Sequence, residues 1–486
     1  MNHRPSALQP FGLLSGLLSG LRFGLLSGLL FALAGCTHSP LPLEPSGPLP
    51  PSLGMEIPTL PAIDPSLQYN HTWVQQTEGD FAAWQKNGVA VSALGSPGNR
   101  VKIELSPSKG THLTCKSEDI DGGAAHFDAA RGLCAGSDPM PSGLPTGVSY
   151  YNGGSFFFGT MVSPEVPLRA PIDHLIASWN ATTPPGTWLQ LRVRVRLPSG
   201  WSPWYRLPVW SSDAATVKRH SVKVAADDTG YVDTDTFELR NQKTATSYQL
   251  GVTLFGQNGQ ASPSVSLLAA VASKDMDSYP TMTPDGSLFG SNLAVPQRSQ
   301  ELPEYQKPEY QQYGGGGEVW CSPTATSMVM EYYAQTTSTP QLNQTVPDAA
   351  IGCYDWVYKG TGNWPFNTAY ASTFGLTGYI TRFYSFAHAA PWIKAGVPLI
   401  ISIAFKAGEL PGAPISKTNG HLIVVRGFDK KGDVIVNDPA ARDNASVQLT
   451  YPRAALEAAW AHSHRTAYLI YPATWSNNVP TSLPTP

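Results

Sequence analysis

Cys321 is a candidate nucleophile because it stands where the sequence predicts the start of a helix. After it, apolar side chains recur with helical spacing, so we expect the helix to bury one face; these are Ala325, Met328, Val329, Tyr332 and Tyr333. Ser322 is a favourable N-cap, and Pro323 suits the first helical position. Cys321 would then lie just before the helix N-terminus, where unpaired N–H groups and the helix dipole stabilise a thiolate.

A cysteine nucleophile needs a base, and His421 is the strongest candidate. It begins the run His421 to Phe428, which is typical of a strand, and a turn at 429–433 leads into a second short strand. The second strand ends at Asn437-Asp438-Pro439. The hairpin should therefore return Asp438 to His421, where a carboxylate accepts a hydrogen bond from imidazole and stabilises the imidazolium. His388 lacks such an arrangement, and His462 and His464 are expected at the surface because they lie near the end of a predicted helix.

These motifs, in this order, resemble a known peptidase family. Cys-Ser-Pro-Thr opens a helix, Gly-His heads a strand and Asn-Asp-Pro ends the next, as in the bacteriocin-processing peptidases that remove double-glycine leaders and their stand-alone exported relatives. The resemblance implies a papain-like α+β fold, with Cys321 as nucleophile, His421 as general acid and base, and Asp438 as the residue that orients the imidazole.

The same resemblance implies an oxyanion donor upstream of the nucleophile. The family has a glutamine there, and Gln300 fits that motif, although Gln311 and Gln312 are nearer to Cys321 in sequence. Ser322 stands where the family usually has glycine. The sequence has no phosphate-binding glycine-lysine loop, which distinguishes it from the export transporters that carry this domain.

Composition and motif spacing argue against several other classes of function. Charged residues are 14% of the chain and the net charge is −3, so no basic surface for nucleic acid is expected. No Cys-x-x-Cys or His-Glu-x-x-His spacing occurs, so we expect neither a metal nor a cofactor.

The N-terminus predicts export. Residues 23–34 are almost entirely apolar and lead into Leu33-Ala34-Gly35-Cys36, which resembles a bacterial lipobox. We therefore expect a signal sequence at 1–35, lipid on Cys36 and a proline-rich tether at 36–66 that holds the protein to the cell envelope. A plain secretory signal or a transmembrane anchor are the alternatives.

The remaining cysteines allow a disulfide between Cys115 and Cys134, since export permits it. A loop of that size would stabilise the fold by roughly 3 kcal/mol. Two free buried thiols are the alternative. A Cys321–Cys353 bond would remove the nucleophile.

We expect a multidomain chain with an N-terminal β-rich, sandwich-like region followed by the α+β peptidase. Leucine and valine alternate with polar residues from Leu189 to Leu197, and 45 Gly and 44 Pro residues favour short strands with turns. The expected boundaries are 67–275 for the β-rich region, 276–295 for a linker, 296–473 for the peptidase and 474–486 for a disordered tail.

Two features of the β-rich region have more than one interpretation. Its clustered tryptophans are either a glycan-binding platform or core packing; they are Trp179, Trp188, Trp201, Trp204 and Trp210. The arginines that alternate from Arg192 to Arg196 are expected on a solvated sheet face. The leading hypothesis is a cell-envelope cysteine peptidase acting on proteins or cell-wall peptides. The alternatives are a binding lipoprotein with a vestigial peptidase fold and a related thiol acyl transferase or amidase.

Overall fold

The computed structural model describes residues 60, 61, 69–95, 100–108, 110, 112–144, 147–222, 227–276, 279 and 281–480. The expected signal sequence at 1–35, the lipidation site Cys36 and almost all of the tether at 36–66 lie outside the described residues. Within the described ranges, no helix is both long and apolar enough to cross a membrane.

The N-terminal part is built from antiparallel strands. They are β1 (Asn70–Gln75), β2 (Gln85–Asn87), β3 (Val89–Ala93), β4 (Val101–Leu105), β5 (Ala125–Asp128), β6 (Leu133–Ser137), β7 (Ser155–Val162), β8 (Val166–Ile172), β9 (His174–Thr182), β10 (Thr187–Leu197), β11 (Gly200–Trp201), β12 (Tyr205–Trp210), β13 (Gly230–Asp233), β14 (Thr236–Leu239), β15 (Ala245–Gly256) and β16 (Ser264–Ser273). One sheet has the order β13-β14-β9-β16-β4-β3, with β1 also on β16. The other has the order β11-β10-β15-β7-β6-β5, with β12, β2 and β8 paired to β10, β7 and β15. Both sheets contribute to one apolar core, in which the rings of Trp179 and Trp210 lie 6.3 Å apart.

The C-terminal part places helices beside a six-stranded antiparallel sheet. Its elements are α1 (Cys321–Thr336), α2 (Val346–Cys353), α3 (Trp364–Ser372), β17 (Leu376–Arg382), α4 (Phe386–Lys394), β18 (Leu399–Phe405), β19 (Thr418–Phe428), β20 (Val434–Asn437), β21 (Gln448–Tyr451), α5 (Arg453–Ala461) and β22 (Thr466–Pro472). The strand order is β17-β22-β18-β19-β20-β21. Helix α1 packs on β19 and β22.

The expectation that α1 buries a single face is wrong. Ser322 to Met330 are all buried, so the helix lies inside the core for most of its length. Some of its small polar residues find partners there: for example, the Ser327 hydroxyl donates to the carbonyl of Thr324 at 2.8 Å.

The two parts pack directly on each other, and their described residues belong to one compact unit. The edge strand β17 lies against β9 and β16. Asn180 of β9 donates to the carbonyl of Gly378 at 2.5 Å and accepts from its N–H at 3.1 Å. The N–H of Ile380 donates to the Ser178 hydroxyl at 3.1 Å. Side chains of the β-rich part thus satisfy the backbone groups that an edge strand leaves unpaired.

The expectation of a solvated arginine face on β10 holds for Arg196, which is exposed, but is wrong for Arg192 and Arg194. Arg192 is buried and pairs with Asp119 at 2.5 Å. The half-buried rings of Trp201 and Trp204 cover Arg194, each at 4.7 Å from its guanidinium. Trp179, Trp188 and Trp210 are fully buried, so these three rings serve core packing. The alternation could not reveal this because local structure does not show what covers a sheet.

Two further features concern the cysteines and the C-terminus. Cys115 and Cys134 form a disulfide with their Cα atoms 5.5 Å apart, whereas Cys321 and Cys353 are free. The expected disordered tail at 474–486 is wrong for 474–480. Trp475 and Val479 are 8% and 5% exposed, because the Trp475 ring packs edge-on against Tyr333 of α1 at 5.5 Å. Residues 481–486 lie outside the described range.

Asn180→Ala should destabilise the protein by about 2–4 kcal/mol, because the N–H and C=O of Gly378 would lose their partner in a buried interface. The measurement is urea unfolding followed by tryptophan fluorescence. Asn152→Ala, at a half-buried asparagine of the β-rich part whose hydrogen bond to the Ser155 carbonyl is exposed to solvent, is the control. Equal stability of the two variants would show that Asn180 does not hold the parts together.

Candidate active site

Cys321 is the first residue of α1, and the helix begins two residues earlier than the sequence predicted. The N-cap is Trp320, which makes no side-chain capping bond. Ser322 was expected to cap the helix, but its buried hydroxyl instead hydrogen-bonds the Tyr468 hydroxyl at 2.8 Å. Packing against β22 therefore takes precedence over the local capping preference. Cys321 is partly exposed, and its N–H is among the first helical N–H groups, which have no acceptor within a helix.

His421 and Asp438 come from neighbouring strands of the sheet. His421 lies on β19, and Asp438 follows β20, which pairs with β19. The His421 Nε2 and the Asp438 Oδ1 are 2.7 Å apart, and the side chains are 5% and 1% exposed. Gly420 has open space beside it. The hairpin thus brings the two residues together as the sequence predicted.

Asp438 has further donors that hold its carboxylate in place. The Tyr451 hydroxyl donates to Oδ2 at 2.7 Å, and the N–H of Ala440 donates to Oδ1 at 3.0 Å. Burial raises the pKa of Asp438, but His421 and these two donors bring it below its usual value. The carboxylate is therefore ionised and faces the imidazole as a fixed negative charge.

The charges of the site favour an imidazolium beside a thiolate. Burial lowers the pKa of His421, but the charge and hydrogen bond of Asp438, followed by those of Cys321, raise it to about 10. Burial raises the pKa of the Cys321 thiol, but His421 and the N–H groups of Leu422 and Ser322 bring it below its usual value. Because Nε2 is taken by Asp438, Nδ1 is the ring nitrogen left for the sulfur.

Gln300 lies beside the loop that leads into Cys321. Its side chain is buried, and Nε2 donates to the carbonyl of Glu318 at 2.7 Å. The Gln300 backbone also packs closely against Gly317 of this loop. If Gly317 had a Cβ, that atom would lie only 2.0 Å from the Gln300 carbonyl oxygen. Gln311 and Gln312 are exposed, and each donates to a backbone carbonyl of its own segment at 3.2 Å. Of the three glutamines, Gln300 has the buried position that an oxyanion donor needs.

Glu301 adds a second carboxylate near this group. Burial and the charge of Glu318 raise the pKa of Glu301, whereas a hydrogen bond from Gln300 and the charge of His421 lower it. The net effect is a pKa above the usual value.

Sequence reasoning missed Tyr451, Tyr468 and the N–H of Leu422. Tyr451 ends β21 and reaches Asp438 only because β21 pairs with β20. No local motif marks it, since a tyrosine at a strand end is usually a packing residue. His388, one of the other histidines, is buried on α4 next to Ser385, 3.3 Å from its hydroxyl. Among the described residues, no group of His, Cys, Asp and Glu side chains is placed to hold a metal ion.

Comparisons with known proteins match both parts of the chain. Residues 70–273 match the family described as Peptidase C39 N-terminal domain, and residues 293–468 match the Peptidase_C39 like family. A solved structure described as a C39-like peptidase from Bacillus anthracis is 16% identical, with a TM-score of 0.24, and the match covers 37% of this chain and 96% of that one. A carbohydrate-binding module of the β-sandwich superfamily is 8% identical, with a TM-score of 0.16, and the match covers 43% of this chain and 56% of that one. The comparison with curated proteins found no match.

In a Cys321→Ala background, the pKa of His421 should stay above the ordinary 6.5 because Asp438 is the main group that raises it. Adding Asp438→Asn should bring it below 6.5, since burial then dominates. In the wild type, His421 binds its proton more tightly in the folded protein than in the unfolded chain, so the proton stabilises the fold. This contribution is fully present below pH 6.5 and is lost as the pH rises to about 10. NMR titration of the histidine ring measures the shift. His388, whose pKa burial lowers to about 4, is the internal control and should not move. An unchanged His421 pKa in the double variant would contradict the assignment.

Proposed function

Because residues 293–468 of this chain form a C39-like peptidase domain, we propose that the protein is a papain-like cysteine peptidase that hydrolyses peptide bonds. The triad is Cys321, His421 and Asp438. The observation that carries the proposal is the buried 2.7 Å bond from His421 to Asp438. In addition, His421 lowers the pKa of the thiol at the start of α1. A structural cysteine has no need of a base or of an ionised carboxylate behind that base.

Acylation begins with the thiolate of Cys321, which attacks the carbonyl carbon of the scissile peptide. The carbonyl oxygen becomes an oxyanion and accepts from the N–H of Cys321 and from the Gln300 amide. His421, as imidazolium, then gives its proton to the leaving nitrogen, so that the C–N bond breaks and an amine departs. A thioester joins the remaining acyl group to Cys321.

Deacylation reverses the role of the imidazole. Neutral His421 takes a proton from water, and the resulting hydroxide attacks the thioester carbonyl. The C–S bond breaks, a carboxylic acid is released and the thiolate–imidazolium pair is restored. Asp438 remains ionised throughout and fixes the ring so that Nδ1 faces the sulfur.

The binding alternative has less support than the enzyme. A tryptophan platform in the β-rich part would have favoured it, but three of the five clustered rings are fully buried, namely Trp179, Trp188 and Trp210. The proposal includes a peptide or protein substrate, with cell-wall peptides among the candidates. The lipid on Cys36 and the location at the cell envelope are also part of it and rest on the sequence alone.

Iodoacetamide labelling of Cys321 against pH tests the ion pair. The midpoint should lie well below the value of about 8.5 for a free cysteine, because His421 and two N–H groups stabilise the thiolate. His421→Ala should move the midpoint upward. Cys353, a buried thiol whose pKa burial raises, is the internal control and should not react.

Cys321→Ala and His421→Ala should each abolish peptide turnover, whereas Asp438→Ala should leave residual activity. A midpoint near 8.5 that His421→Ala does not change would overturn the proposal.

Gln300→Ala should lower kcat by about 10²–10³ if its amide holds the oxyanion. The labelling profile of Cys321 should not change, because Gln300 acts on the transition state and not on the thiol. Gln312→Ala is the matched control at an exposed glutamine. If the control lost as much activity as Gln300→Ala, another group would have to be the oxyanion donor.

A further inference from the structure

Two exposed apolar side chains stand on the loops that border Cys321. Val319, just before α1, is 51% exposed, and Tyr358, between α2 and α3, is 49% exposed. The loops touch each other, since the Thr361 hydroxyl donates to the carbonyl of Val319 at 3.2 Å. Burial raises the pKa of the Tyr358 hydroxyl, and the nearby charges of Asp235 and Cys321 raise it further. Tyr358 thus lies on the loop that contacts the segment leading into Cys321.

The loop at 354–362 is built around the buried carboxylate of Asp355. Its Oδ1 accepts from the N–H groups of Val357 and Tyr358 at 3.0 and 2.9 Å. Its Oδ2 accepts from the Asn363 amide at 3.0 Å. Gly360 packs on the Tyr358 ring, where a Cβ would lie 2.7 Å from a ring carbon. The orientation of Tyr358 therefore depends on Asp355.

The β-rich part holds this loop through its segment 218–221. The N–H of Ser221 donates to the Asp355 carboxylate at 2.9 Å, and the N–H of Trp356 donates to the carbonyl of Arg219 at 3.1 Å. The buried Arg219 guanidinium donates to Ile351 and Tyr354 carbonyls at 3.0 and 3.4 Å. The same guanidinium binds carbonyls of its own part, namely those of Ser211 and Ser212 at 3.0 and 3.1 Å.

A line of aromatic rings extends the contact toward the nucleophile. The Lys218 ammonium lies 4.3 Å from the centre of the Trp356 ring. The rings of Trp356 and Tyr313 are 6.3 Å apart. The Tyr313 carbonyl accepts from the indole N–H of Trp320 at 2.8 Å, and Trp320 precedes Cys321. The segment 218–221 therefore supports both loops that border Cys321.

We propose that the β-rich part supports one wall of the substrate cleft from behind. In this wall Tyr358 contacts the substrate, and Arg219 of the β-rich part is a positioning residue. Tyr358, together with Val319 on the adjoining loop, receives an aliphatic or aromatic side chain next to the scissile bond. An apolar partner is favoured because water leaves both exposed apolar surfaces when such a side chain binds. This inference rests on the proposed peptidase function and names the class of side chain that the site selects.

The first experiment compares peptide selectivity. A fluorogenic peptide library gives a sequence that the wild type cleaves, and matched peptides then carry Leu, Phe, Ser or Asp at each position around the cut. At one of these positions, the wild type should prefer Leu and Phe. Tyr358→Ala should raise KM for the Leu and Phe peptides by about three- to tenfold and leave the Ser peptide unchanged. Tyr358→Phe should retain the preference, since the ring makes the contact.

Two controls separate this inference from the proposed function. Leu94→Ala, at an exposed leucine of the loop between β3 and β4, should change no kinetic constant. The labelling profile of Cys321 should be the same in wild type and Tyr358→Ala. If the wild type cleaves peptides but Tyr358→Ala has unchanged selectivity, the inference is wrong and the peptidase stands. If the wild type cleaves no peptide, both are wrong.

A double-mutant cycle tests the role of the β-rich part. Arg219→Met alone should raise KM for the Leu peptide, but it should add nothing in the Tyr358→Ala background, because Arg219 acts through Tyr358. Arg219→Lys should restore part of the loss. Lys218→Ala, at an exposed position, replaces Arg219→Met if that variant fails to fold. Fully additive effects on KM would show that the β-rich part does not position Tyr358.

Discussion

The buried carboxylate of Asp438 sets the chemical state of the whole site. Burial by itself would make His421 neutral, and the fixed negative charge reverses that preference, so the imidazole can stay protonated beside a thiolate. The carboxylate stays ionised because Tyr451 and the N–H of Ala440 donate to it. An antiparallel pairing of three strands brings these groups together, so the register of the sheet is a condition for the chemistry.

Cys321 is held in place by the packing of its helix. Helix α1 is buried for most of its length, and Ser322 bonds to Tyr468 of β22. Cys321 is therefore fixed at the junction of helix and sheet, since α1 packs on β19 and β22, and the N–H of Leu422 on β19 helps to lower the pKa of its thiol. Such rigidity limits the reorganisation that a reaction would otherwise require.

The β-rich part is joined to this framework by side-chain hydrogen bonds to backbone groups. Asn180 and Ser178 supply the hydrogen bonds that β17 lacks as an edge strand, and one guanidinium, that of Arg219, binds carbonyls of both parts. Burying such groups is favourable only when every one has a partner. The interface therefore fixes one arrangement of the two parts, in which segment 218–221 lies behind the loop that carries Tyr358.

The sequence by itself determined the features that depend on short-range rules. The helix after Cys321, the hairpin from His421 to Asp438 and the alternating strands of the β-rich part follow from periodicity and turn residues within a few positions of one another. Tertiary structure alone decided which residues meet across long stretches of chain. It brought Tyr451 to Asp438, buried Arg192 beside Asp119 and tied Asp355 to Ser221. The reason is physical: a local pattern records which face of an element is apolar, whereas the partner of a buried polar group is set by the packing of elements distant in sequence.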